Sequence, residues 1–301
     1  MVFRLVRLAG LLAIPASTLA AQSIDDGLML SRHTISAGVV YSHESWDQYW
    51  EGTLKRSNGN IGTLTTRTVT SMAGYGISDR IGLFAMLPYI ETHASQGVLR
   101  DMSGVQDLTL GAKLRIFSTG PTDHGAMSAF VVGAGAVPMS HYTPDFMPLS
   151  IGTAGRRAAA RVTVNYESNS SLFATLSSAY TFCANVHLNR SSYYNNGQLY
   201  NTNEVAMPNV MLSSLTAGLA HGHWMLPVTL TQQHTLGGSD IRRQDMPFVA
   251  NRMDYVKLDA GAMYSLPANF AVHVGAGHVL SGRNVGQSTT FTTGLMYELH
   301  L

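Results

Sequence analysis

Phe291-Thr-Thr-Gly-Leu-Met-Tyr-Glu-Leu-His-Leu301 alternates with a period of two. Leu295, Tyr297, Leu299 and Leu301 fall on one face, and Gly294, Met296, Glu298 and His300 on the other. A β-strand turns successive side chains to opposite faces, so this segment carries one apolar wall and one polar wall.

The same alternation recurs upstream. Leu108, Leu110, Ala112, Leu114 and Ile116 oppose Asp107, Thr109, Gly111, Lys113 and Arg115. Ala158, Ala160, Val162, Val164 and Tyr166 oppose Arg157, Ala159, Arg161, Thr163 and Asn165. Val256, Leu258, Ala260 and Ala262 oppose Lys257, Asp259 and Gly261, and Phe270, Val272 and Val274 oppose Ala271, His273 and Gly275. Within each segment the charges keep to one face. Segments of this kind number about twelve, centred near 33–43, 62–76, 80–92, 105–117, 125–138, 155–166, 171–182, 209–221, 224–234, 254–266, 268–279 and 289–301. Their connections alternate between short (76–80, 118–124, 167–171, 221–223, 266–268) and long (44–61, 93–104, 139–154, 183–208, 235–253, 280–288). Short periplasmic turns and long outer loops are the rule for transmembrane β-barrels, and this phase puts both chain ends at the periplasmic rim. The fold class expected is therefore all-β: an antiparallel transmembrane barrel of about twelve strands.

Composition agrees. Charged residues make up 12% of the chain, against about 25% in soluble domains, yet mean hydropathy is only +0.06. Few charges without long apolar runs is what lipid-facing and lumen-facing alternation requires. Met1–Arg7 is basic, 8–19 is apolar, and Thr18-Leu19-Ala20-Ala21-Gln22 supplies small residues, which reads as a signal peptide over 1–21 ahead of a barrel over 22–301. The expected location is the outer membrane of a Gram-negative bacterium. The expected partners are its lipid, a small-molecule solute, and the barrel-assembly machinery through the apolar-ended last strand. A net charge of +1 with no basic stripe excludes nucleic acid. Cys183, the sole cysteine, cannot form an internal disulfide.

No catalytic, phosphate-binding or redox motif is present, so no catalytic residue, cofactor or metal is expected. His221-Gly-His223 sits in a tight turn without a carboxylate. The Met and His residues of the outer loops (Met102, Met139, Met147, His141, His187, Met246, Met253) are scattered, and Tyr193-Tyr194-Asn195-Asn196 reads as an exposed loop tip. Tyr41, Tyr75, Tyr89, Tyr166, Tyr180, Tyr264 and Tyr297 are placed for interfacial girdles. The candidate site is the lumen. Arg67, Asp107, Lys113, Arg115, Arg157, Arg161, Lys257, Asp259, His273 and Glu298 should point inward, because a cation facing lipid at mid-bilayer costs about 2–4 kcal/mol. They would either line a polar channel or pair with one another and fill it. The expected pairing sets Lys113, Arg115, Arg157 and Arg161 on one wall against Asp259 and Glu298 on another.

Tyr75-Gly-Ile-Ser-Asp-Arg80-Ile-Gly-Leu-Phe-Ala-Met-Leu-Pro88-Tyr89, followed by Gly104-Val-Gln-Asp107-Leu-Thr-Leu-Gly111-Ala-Lys113-Leu-Arg115, resembles the MetA-pathway of phenol degradation family of outer-membrane transporters. Gln106 departs from the glycine usual before that Asp. The resemblance covers 74–117 and extends along the strand pattern to Leu301. It implies a barrel and passage of small hydrophobic or aromatic compounds, with Asp79, Arg80, Pro88, Asp107 and Lys113 as structural matches. A barrel enzyme of phospholipase type and a plugged, adhesive barrel are the alternatives.

Overall fold

The computed structural model describes residues 23–243 and 245–301. The expected signal peptide lies outside the described residues. Among them, twelve long strands form one antiparallel sheet: β1 (Thr34–Trp46), β2 (Leu64–Ser78), β3 (Ile81–Ala94), β4 (Asp107–Ser118), β5 (Ala126–Pro138), β6 (Arg157–Glu167), β7 (Leu172–Cys183), β8 (Val210–His221), β9 (Trp224–Thr235), β10 (Asp254–Leu266), β11 (Phe270–Arg283) and β12 (Thr289–His300). β12 returns to β1, from Thr34↔His300 to Ser45↔Thr289, so the sheet closes and no edge faces lipid. Met102–Val105 extends β4 past Gln106 along the outer end of β3. Every expected segment is a strand, with ends shifted by a few residues.

The alternation holds within each strand. Leu114 is 44% exposed on the lipid side, while its neighbour Lys113 is wholly buried inside. Leu110, Val162, Leu176 and Val274 are likewise outward, and Thr163, Ser177, Met263 and Glu298 inward. Tyr41, Tyr89 and Tyr180 lie outward on the outer half. Tyr166 and Tyr297, with Trp224 packed on Tyr264 at 4.7 Å, lie toward the other rim. These are the two girdles.

Arg67 departs from the expectation. It shares the outward face of β2 with Val69, Ala73 and Ile77, and its register neighbours are His43 and Glu91. That row lies one step beyond Tyr41, Val69 and Tyr89, where a cation costs about 0–1 kcal/mol, so mid-bilayer logic did not apply to it.

Five short connections (79–80, 119–125, 168–171, 222–223, 267–269) and both strand termini share one rim, and the long loops share the other. The loops interlock. Val186, Leu188, Tyr193 and Val205 pack on Phe248, Val249 and Ala250 of the next long loop. Tyr193 is buried there, stacked on Tyr200 at 5.0 Å, so of the expected exposed tip Tyr194 and Asn196 are exposed and Tyr193 is not. The loop at 139–156 folds into the mouth: Leu149 is fully buried with Ile61 and Leu64, and its carbonyl accepts from Thr92 Oγ1 at 2.6 Å.

Candidate functional site: the lumen

Ser23–Ser31 has no periodicity and lies inside the barrel on the side of the short turns. Lys113 Nζ donates to the Ser23 carbonyl (3.1 Å), the Asp26 carbonyl (2.8 Å) and Asp26 Oδ1 (2.8 Å). Asp25 pairs with Arg161 at 2.8 Å. Ile24 and Leu30 join Phe84 and Val132 in a buried cluster, so the segment is fastened by both charge and apolar packing. An ammonium this buried survives only with its donors filled, and here two carbonyls and a carboxylate fill them.

The stretch carrying the family resemblance is the seat for this segment. Asp79 accepts from the Arg32 amide at 3.1 Å, and Tyr75 Oη meets His33 Nδ1 at 3.2 Å. A Cβ on Gly76 would collide with the Ser31 carbonyl, and one on Gly111 would collide with Ile24. Glycine therefore belongs at both positions, because a chain passes directly over the wall.

The other lumen candidates are placed as follows. Arg157 donates to Asp107 Oδ2 at 2.6 Å, and Tyr142 from the mouth loop donates to Asp107 Oδ1. Burial, then the hydrogen bond to Asp107, pushes the Tyr142 hydroxyl well above its ordinary pKa. Lys257 pairs with Asp259 on its own strand at 2.9 Å. Arg115 lies over the Phe130 ring at 5.9 Å. His273 lies against Gly261, and Glu298 is buried on the inner face with no ion-pair partner among the described residues. Lys113 and Arg161 thus meet Asp25 and Asp26, not the expected Asp259 and Glu298. The acidic wall is supplied by the segment because it lies between the strands and reaches these cations first. Sequence reasoning missed Asp25 and Asp26. The available signal was two adjacent carboxylates just ahead of the first strand in a chain poor in charge.

Beyond the segment, toward β6–β10, a cavity of about 610 Å³ is left open. Thr175, Ser214, Thr216, Thr229 and Thr231 give it hydroxyls, and Phe173, Leu212, Met225 and Met263 give it apolar surface. Its charged lining is Asp25, Asp26, Glu167 and Arg161. Among the described residues no three His, Cys, Asp or Glu side chains cluster to hold a metal. Ser171 Oγ and His221 Nδ1 approach to 3.3 Å at the short-turn rim, but no carboxylate orients that histidine among the described residues.

The family described as the MetA-pathway of phenol degradation matches residues 51–294. The chain belongs to this family. The COG4313 outer membrane channel from Pseudomonas putida F1 superimposes with a TM-score of 0.75 at 16% identity, over 92% of this chain and all of that one. The translocator domain of the autotransporter NalP from Neisseria meningitidis (TM-score 0.49, 12% identity, 88% of this chain and 87% of that one) is more distant. The NanC porin (0.48, 8%, 86% and 100%) is also more distant. No curated protein matches the chain. The phenol-degradation family span includes the seat on β2–β6, whereas Ser23–Ser31 precedes it.

Proposed function

We propose that this protein is an outer-membrane channel for small solutes that carry an apolar or aromatic face together with a hydroxyl or similar polar group. The observation that carries the reading is the open cavity beside a seated segment in a closed barrel. Its hydroxyls bind the polar group of a solute while Phe173, Met225 and Met263 shelter the apolar face. The signal-like start and the two tyrosine girdles support export and placement in the outer membrane. An enzyme reading would need a carboxylate to orient His221 beside Ser171, and none does so among the described residues.

The test is planar-bilayer recording on protein extracted from outer-membrane fractions, whose N-terminal sequence should begin near Ala21 or Gln22. Discrete conductance steps are expected. In liposome swelling, benzyl alcohol should enter faster than a sugar of similar volume. A folded barrel that neither conducts nor swells liposomes would sink the channel reading.

A further inference from the structure

We infer that Asp25 and Asp26 of the segment seated in the lumen set the charge preference of the passage, favouring neutral or cationic amphipathic solutes and rejecting carboxylates. This rests on the channel reading. The wall behind the segment is cationic, with Lys113 on β4 and Arg161 on β6, and by itself it would draw anions. In both ion pairs, however, the carboxylate is the member turned to the cavity. Asp25 is 56% exposed against 13% for Arg161, and Asp26 is 23% exposed against none for Lys113.

A solute in the cavity therefore meets the carboxylates first. Of the three acids that line the space, Asp25 is paired with Arg161 and Asp26 with the buried Lys113, which leaves Glu167 as the acid without an ion-pair partner among the described residues. Lys257 and Asp259 cancel each other on β10, and Arg157 and Asp107 cancel nearer the mouth, so neither pair offsets this excess. In a narrow, low-dielectric passage an excess of one sign concentrates counter-ions by about 10- to 1,000-fold. A segment that is not part of the barrel wall thus neutralises Lys113 and Arg161 and, because its carboxylates are the more exposed members of both pairs, presents acid to the cavity where the wall alone would present cations. The hydroxyls of Ser214, Thr216 and Thr229 carry no charge and accept either sign, which leaves discrimination to the charged lining, where Asp25 and Asp26 stand in front of the wall's cations.

The reversal potential of the full chain in a tenfold KCl gradient across a planar bilayer tests this. The wild type should prefer K⁺. Asp25→Asn/Asp26→Asn unmasks Lys113 and Arg161 and should lower the K⁺-over-Cl⁻ permeability ratio by roughly tenfold or more. Asp25→Asn alone removes a mostly exposed group without opening the buried Lys113 pair. It should move the ratio part of the way even if the double variant fails to assemble. Arg67→Gln, outside the lumen, should change nothing. A wild type that conducts but prefers Cl⁻, or an Asp25→Asn channel with unaltered selectivity, overturns the inference and leaves the channel reading standing. A silent wild type overturns both.

Discussion

From β2 to β6 the inner wall carries Gly76, Gly111, Lys113 and Arg161 and is covered by Ser23–Ser31. From β7 to β10 it carries Thr175, Ser214, Thr216 and Thr229 and faces open space. Both sides use the same strand geometry and the same alternation. What differs is the inward residue. A wall of small residues and cations requires something to lie on it, because buried cations demand acceptors and bare glycines leave backbone uncovered. A wall of hydroxyls holds itself in contact with water and with its neighbours, as Thr216 and Thr229 do at 2.9 Å, and needs no cover. One side is fastened to the segment, and the other is the side that, on the proposed reading, a solute would pass.

Lys113→Met should strike the covered side hardest. It strands Asp26 and two carbonyls, and breaking such a buried pair costs about 3–5 kcal/mol. The denaturant midpoint of the refolded barrel should fall, trypsin should cut after Arg32, and conductance should rise as the segment leaves its seat. Wild-type stability with Arg32 still protected would show that the segment is not held by charge. Asp107→Asn should have a middling effect of about 1.5–3 kcal/mol, because Arg157 and Tyr142 lose a charged acceptor at the mouth. The Tyr142 hydroxyl should then titrate lower than in the wild type, though burial keeps it above its ordinary range, and ultraviolet titration reads this. An unmoved Tyr142 would mean that burial alone sets its value. The smallest stability effect, within about 0.5 kcal/mol, should come from Thr216→Val/Thr229→Val on the open side. That variant should nevertheless slow benzyl alcohol entry in liposome swelling. If it destabilises the barrel as Lys113→Met does, the contrast between the two sides fails.

The barrel itself was legible in the sequence because period-two alternation and the cost of a charge in lipid act on every strand independently. Lys113 and Leu114 take opposite faces for reasons local to them. Arg67 was misplaced because depth, not face, decides whether a cation can look outward, and depth depends on where the girdle falls across neighbouring strands. Apart from Arg67, the lumen candidates lie on the inner face, but Lys113 and Arg161 meet Asp26 and Asp25 where Asp259 and Glu298 were expected. Ser23–Ser31 has no period and no motif, and its place is fixed entirely by what it touches. Tyr193 was misjudged for a similar reason. A loop residue is buried or exposed according to another loop, here the one carrying Phe248, 55 residues further along the chain.

The hydrogen bond from the Leu301 amide to the His33 carbonyl, 2.9 Å long, joins the two ends of the barrel domain. The β1–β12 seam it continues pairs residues 266 apart, such as Thr34 and His300. The entropy of closing so long a loop grows only with the logarithm of its length, so the finished seam is no weaker than its neighbours. Its cost is one of time. The whole chain must be synthesised and largely paired before its first strand can find its last, and non-local pairings of this kind form slowly. Until then β1 and β12 both present open edges prone to pairing with other chains. Survival of the nascent protein therefore depends on how long that interval lasts.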